Sequence, residues 1–255
     1  MKINLSFRRL AKSLLWRFFA LSDMRFRLRS GLEVPVADKH EMDTFREIFI
    51  QQEYDDFLDR LPAPQTILDL GCNSGYFGVL MLNRARVMNP DGQTPQMVLL
   101  DANASAVERA RSVVQGCGTM NARVAFVHGL VGPRGSRSAT FYLAPASAES
   151  SAVHQTKHSR KVAVPCVDLA ALTGQHFPMG LDLIKCDIEG GEDDLVRHWP
   201  DVLKQSKALL IEWHGFQGSW EDFRNVVISE GFQLVMERPA GRYKNALFVK
   251  TDAGI

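Results

Sequence analysis

From residue 66 onward the chain alternates short, wholly apolar runs with stretches of helical periodicity, and this alternation restricts the fold more than any other feature. The first runs are Thr66 to Leu70, a helix from about Tyr76, Met97 to Leu100, a helix over Ala104 to Gln115, and Arg123 to Val127. Later come Leu181 to Cys186, a helix near Glu192 to Trp199, Ala208 to Glu212, a helix over Trp220 to Glu230, Phe232 to Glu237 and Ala246 to Lys250. Strands apolar on both sides need cover on both faces, which points to a parallel sheet between two helical layers. Nothing helical separates the last two strands, so they should pair antiparallel at an edge of the sheet. The stretch from Gly129 to Ala163 is rich in Gly, Ser and Ala and reads as a short hairpin at Ala139 to Leu143 followed by a mobile loop.

The residues ahead of the sheet differ in character. Of the 255 residues, the first 31 carry eight Lys or Arg against Asp23 alone, a net charge of about +7 that leaves the remainder about −6. Phe7, Leu10, Leu14, Phe18 and Leu21 recur at helical spacing opposite Arg8, Arg9 and Lys12, which describes a basic amphipathic helix. Such a helix can dock on a core or touch an acidic partner or a membrane surface. A second helix is expected over Phe45 to Leu61, ending at Pro62-Ala63-Pro64. Residues 1–61 therefore read as an N-terminal helical segment, and 62–255 as the catalytic domain. Arg17 interrupts the Leu14 to Leu21 run, so no stretch suits a membrane span or a signal peptide. Cys72, Cys117, Cys166 and Cys186 show no zinc-type spacing and are expected as reduced thiols in the cytoplasm.

Three motifs carry chemistry. Asp69-Leu70-Gly71-Cys72-Asn73-Ser74-Gly75-Tyr76 takes a buried strand through a glycine-punctuated turn into a helix, either an ordinary turn or a cradle for a nucleotide-like ligand. An acid in place of a phosphate-binding glycine would repel a pyrophosphate and suit an ammonium, which disfavours a nicotinamide oxidoreductase. Asp101 closes the second apolar strand, where an acid either accepts ribose hydroxyls or caps the next helix; Asn103 could take the capping role instead. The polar insert at 89–96 lengthens the spacing between the two acids. The third motif, Asp182-Leu183-Ile184-Lys185-Cys186-Asp187-Ile188-Glu189-Gly190-Gly191-Glu192, gathers charges at a strand tip, though an Asp-Lys pair at a helix start would look similar. On the neighbouring strand, alternation puts Glu212 and His214 on one face. His214 is then a candidate base or a satisfied structural histidine.

The first motif is similar to the D-x-G-A-N-x-G-Y string of FkbM-type methyltransferases, with Cys72 where Ala is usual. The third resembles that family's D-x-I-K-x-D-x-E-G-x-E signature. The resemblance spans about Thr66 to Glu237 and implies a Rossmann-like class I methyltransferase fold, with a seven-stranded, mostly parallel sheet, an antiparallel edge pair and helices on both faces. It implies S-adenosylmethionine as cofactor, held by Asp69, Gly71, Asn73 and Gly75 at its amino-acid end, by Asp101, Ala102 and Asn103 at the ribose, and by Gly129 and Leu130 near the adenine. Asp187 adjoins both the cofactor and the acceptor. Lys185, Asp187, Glu189, Glu212 and His214 are expected around the acceptor, with His214 or Asp187 as base. The implied reaction is O-methylation of a hydroxyl on a sugar, glycan or secondary metabolite. Nucleic acid is disfavoured because the chain beyond residue 31 is acidic. Mg²⁺ could be held by Asp187, Glu189 and Glu212, but no metal is required by the spacing. The competing readings are a catalytically inactive binding or scaffold module, attached to the inner membrane surface through its basic helix, and a nicotinamide-dependent oxidoreductase.

Overall fold

The computed structural model of the chain describes residues 24–118, 123–144, 150–153, 155, 157–240 and 243–251. The basic amphipathic helix expected over Phe7 to Leu21 lies outside them. Among the described residues, seven strands form one sheet. In chain order these are β3 (Thr66–Leu70), β4 (Gln96–Asp101), β5 (Val124–His128), β8 (Leu181–Cys186), β9 (Ser206–Trp213), β10 (Phe232–Ala240) and β11 (Tyr243–Lys250). Their spatial order is β10-β11-β9-β8-β3-β4-β5. All neighbours from β9 to β5 pair parallel, while β11 runs antiparallel to both β9 and β10. The expected antiparallel edge pair is present.

Alternation along each strand divides the core in two. Ile67, Leu99, Leu183, Leu210 and Leu247 point to one face, under α3 (Tyr76–Met88) and α4 (Ala104–Gly116). Leu68, Leu100, Ile184, Leu209 and Phe248 point to the other. That face is covered by α5 (Leu169–His176), α6 (Glu192–His198), α7 (Pro200–Lys204) and α8 (Trp220–Ser229). From β3 the chain passes to β4 and β5 on one side and then, by way of α5, crosses back to β8 on the other, so the carboxyl ends of β3 and β8 flank the crevice where such sheets bind ligands.

The described segment ahead of β3 departs from the continuous helix expected over Phe45 to Leu61. Met24–Arg27 (β1) and Glu33–Val36 (β2) form an antiparallel hairpin, closed around Gly31 in the left-handed region. The helix expected over Phe45 to Leu61 is broken into α1 (Lys39–Phe45), a π turn at Arg46–Ile50 and α2 (Asp55–Leu58), with Gln52 at φ 56° between them. The apolar spacing was nonetheless meaningful, because Phe45, Ile48, Tyr54, Phe57 and Leu58 are all buried in the same core as the sheet. A broken path can keep one face inward as well as a continuous helix can. Buried Glu41 ties this segment down: it pairs with Arg109 of α4, accepts from the Ala37 amide at 2.7 Å and lies 3.3 Å from the Tyr76 hydroxyl, which itself donates to the Pro35 carbonyl.

A second correction concerns the expected hairpin at Ala139 to Leu143. Ser138–Leu143 (β6) pairs instead with a more distant strand, Arg160–Pro165 (β7), in a separate two-stranded sheet. Phe141 and Val164 make it a small core of its own with Leu130, beside the mouth of the crevice.

Candidate active site

The glycine loop after β3 is built against its neighbours. The amides of Gly71 and Cys72 both donate to the Leu100 carbonyl of β4, at 2.9 and 3.0 Å. Gly71 has φ 77°, and a Cβ there would fall 1.7 Å from the Asp187 carbonyl oxygen, so only glycine fits. Asn73 is also left-handed, at φ 45°. This conformation aims its amide at Asp101 Oδ2, 2.9 Å away, while the Asn103 amide meets Asp101 Oδ1 at 2.8 Å. The Asn103 side chain caps α4 by accepting from the Ser105 amide at 3.0 Å. Asp101 is thus released from helix capping. Each of its oxygens is oriented by one amide and retains acceptor capacity for a ligand hydroxyl. Burial raises the Asp101 pKa, opposed by those two amides.

Asp101 stands in a cleft enclosing about 660 Å³ of space, part of it open to solvent, lined also by Gly71, Asn73, Leu100, Ala102, Gly129, Leu130, Val131, Phe141, Ser150, Ala152, Asp187, Ile188, Glu189 and Gly191. An apolar wall of Leu130, Val131, Phe141 and Ile188 with one fixed carboxylate fits a nucleoside. Of the residues expected at the cofactor, Asp69, Gly75 and Asn103 are not brought to this wall. Gly75 packs on Ala110 of α4, where a Cβ would come within 2.9 Å.

Asp69 is the more instructive case. It is the register partner of Lys185 on β8, so both side chains leave the sheet on the same face, beneath α3. Lys185 Nζ lies 3.3 Å from Asp69 Oδ1 and 3.5 Å from Asp187 Oδ2, and donates to the Gly71 carbonyl at 2.9 Å. Asp69 and Lys185 therefore form a buried ion pair that staples the glycine loop from below. Burial raises the Asp69 pKa, and Lys185 pulls it back, leaving it at about 6.

Asp187, Glu189, Glu212 and His214 do come together. His214 Nε2 is 3.3 Å from Glu189 Oε2 and 3.9 Å from both Asp187 Oδ1 and Glu212 Oε1. Its Nδ1 is hydrogen-bonded at 2.9 Å to Glu192 Oε1, which also accepts from the amides of Ile188 and Gly190. That loop holds Glu189 at φ 52°, a left-handed conformation costly for a side-chain-bearing residue. Ser151 Oγ and Gln217 Nε2 clamp it by donating to the carbonyls of Glu189 and Gly190. Burial, then the charge of Asp187, raises Glu189 to about 7 and Glu212 to about 8. For His214, burial acts to lower the pKa, but the Glu192 hydrogen bond and the surrounding acids outweigh it and raise it to about 9.

Several site residues were not singled out from sequence. Glu192, fully buried, organises the Glu189 loop and His214 together. It was visible as the last acid of the third motif. Tyr243 packs on His214 with ring centroids 4.4 Å apart, and Glu53 accepts from Asn245, the register partner of Glu212, at 3.1 Å. No local signal marks Tyr243 or Glu53.

The sheet order, with its single antiparallel edge and a nucleoside-type cleft at the reversal point, defines a Rossmann-like class I methyltransferase fold. The family described as Methyltransferase FkbM domain matches residues 70–234, and the chain belongs to this family of S-adenosylmethionine-dependent methyltransferases. No curated protein matches the sequence. Among solved structures the chain is similar to Sp1610 of Streptococcus pneumoniae, at 16% identity and TM-score 0.44, over 73% of this chain and 64% of that one. It thus spans just under two thirds of that relative's length. It is also similar to a SAM dependent methyltransferase from Aquifex aeolicus, at 13% identity and TM-score 0.44, over 81% and 92%. A third is magnesium protoporphyrin IX methyltransferase of Synechocystis PCC 6803, at 10% identity and TM-score 0.47, over 83% and 84%.

Proposed function

We propose that the protein transfers a methyl group from S-adenosylmethionine to a hydroxyl of a sugar, glycan or secondary metabolite. The observation that carries this reading is the Asp101 carboxylate, oriented by the amides of Asn73 and Asn103, in the same cleft as Asp187 and Glu189. Asp101 would hold the ribose, Leu130, Val131 and Phe141 the adenine, and the Gly71 to Asn73 loop the amino-acid end. When bound, the cofactor supplies a methyl on a sulfonium already activated for displacement, so positioning is the main task left to the protein. Asp187 spans both halves of the site: its carboxylate contacts Lys185 beneath the glycine loop and faces His214 on the acceptor side. The acceptor hydroxyl gives up its one proton to the Asp187 carboxylate, beside which His214 is held by its bond to Glu192. An acceptor carrying phosphate or carboxylate would be repelled by the negative charge of Asp187 and of ionised Glu189, whereas a neutral polyol meets acceptors for its hydroxyls.

Among the described residues no helix is long and apolar enough to cross a membrane. Cys72, Cys117, Cys166 and Cys186 are free thiols. Such thiols fit a reducing compartment such as the cytoplasm.

Calorimetric titration with S-adenosylmethionine, its demethylated product and NAD tests the reading. Saturable binding of the first two alone, lost in Asp101→Ala, is the expected outcome; preference for NAD, or unaltered binding by the variant, overturns it.

A further inference from the structure

Asp187, Glu189 and His214 each present one ligand atom, and the three atoms lie within 4.8 Å of one another. Two ligands on opposite sides of one transition-metal ion stand at most about 4.4 Å apart, so carboxylate shifts of a few tenths of an ångström would close the set. Glu212 Oε1, 3.9 Å from His214 Nε2, flanks it as a fourth donor.

Acids alone would not make this a site, but the histidine is built for one. Its side chain is 1% exposed, its Nδ1 is fixed by buried Glu192, and its Nε2 points among three carboxylates, 3.3 Å from Glu189 Oε2 and 3.9 Å from Asp187 Oδ1 and Glu212 Oε1. A carboxylate behind Nδ1 that turns Nε2 outward is the usual support of a metal-bound histidine. The nearby cation, Lys185, is already shared between Asp69 and Asp187. Burying Glu189 and Glu212 as carboxylates beside Asp187 is costly, and a divalent ion bound to neutral His214 would offset more of that negative charge than a protonated imidazole does.

We propose that Asp187, Glu189 and His214, with Glu212 beside them, bind a divalent transition-metal ion of the Mn²⁺, Fe²⁺ or Zn²⁺ kind at the acceptor end of the cleft. The imidazole decides the class. Magnesium and calcium favour all-oxygen sets, whereas mixed nitrogen and carboxylate donors suit first-row transition metals. The oxygen-only set anticipated for Mg²⁺ thus becomes a mixed one. The inference rests on the methyltransferase reading only for the ion's use, which would be to orient the acceptor's oxygens.

The test is titration of Mn²⁺ into the chelator-treated full chain, followed by loss of the free-ion electron paramagnetic resonance signal and by pulsed measurement of nitrogen coupling. One saturable Mn²⁺ per chain with a single imidazole nitrogen coupling is expected. Affinity should fall at least ~10-fold in Glu189→Gln, and in His214→Ala the coupling should vanish. Far-ultraviolet circular dichroism and a cooperative thermal melt of each variant show that it is folded, and titration of S-adenosylhomocysteine into the wild type follows cofactor binding separately. No saturable uptake, uptake without nitrogen coupling, or affinity unchanged in both variants overturns the site. Cofactor binding without metal uptake removes this inference and leaves the methyltransferase reading intact; metal uptake without cofactor binding does the reverse.

Discussion

Lys185 and Asp69 face each other across adjacent parallel strands, ammonium 3.3 Å from carboxylate, and both are almost wholly buried. The pair sits under the cofactor loop, and Lys185 reaches through to the Gly71 carbonyl. A motif that looked like a set of ligand contacts is, at these two positions, the foundation that gives the contacts their geometry.

Lys185→Met should cost about 3–5 kcal/mol, because it leaves the Asp69 carboxylate buried without its counter-charge. The double variant Asp69→Asn, Lys185→Met should be less destabilised than Lys185→Met alone, since no charge is then stranded. Urea midpoints across the double-mutant cycle measure this; losses that simply add would show that the pair is not coupled.

The same pair makes a pH prediction. The Asp69 pKa is about 6 in the fold against an ordinary 3.8, so between those values the folded state holds a proton that the unfolded chain has released. Stability contributed by this group is therefore full below the unfolded value and is lost as pH rises through the folded one. The wild type should lose on the order of 3 kcal/mol relative to Asp69→Asn between about pH 4 and pH 6, and nothing more above that. Parallel stability curves for the two proteins over this range would count against the buried, raised carboxyl.

Two left-handed glycines should respond very differently to alanine. At Gly71 the new Cβ meets the Asp187 carbonyl at 1.7 Å, whereas at Gly135, φ 83°, nothing lies within 4 Å. Gly135→Ala should cost about 1 kcal/mol of backbone strain. Gly71→Ala should cost several times more, roughly 3–5 kcal/mol with overpacking included, and should abolish cofactor binding. Thermal melts of both, with S-adenosylhomocysteine titration of Gly71→Ala, check the contrast.

Glu41→Ala should detach the N-terminal segment. The substitution strands the Ala37 amide and removes the partner of Arg109, at a cost of about 3 kcal/mol. Limited proteolysis should then cut between residues 24 and 61 at concentrations of protease that leave the wild type intact. Unchanged cleavage would mean the hairpin and helices hold by apolar packing alone.

How much of this was legible depends on how far apart in sequence the cause and the effect lie. Every strand of the seven-stranded sheet was anticipated to within a few residues, except that β9 to β11 run longer, because period and apolarity are local properties. The Asp101 role was legible as an alternative, and the Asn103 cap settled it. The broken helix after Phe45 was misread because a 3.6-residue spacing reports which face is inward, not whether the backbone path is continuous. Similarly, the β6 strand was paired with too near a neighbour, since its actual partner starts at Arg160.

By itself the sequence determined the order of elements within the seven-stranded sheet, the two-layered cover of that sheet and the cofactor-loop chemistry, all of which are written in short stretches of chain. Only the tertiary structure decided that Asp69 turns inward to Lys185, that Glu192 aims His214 at Asp187 and Glu189, and that Glu53 and Tyr243 join the acceptor side. Those relationships depend on strand register and on helices packing across the sheet, and such contacts bring together side chains whose separation along the chain carries no periodic signal.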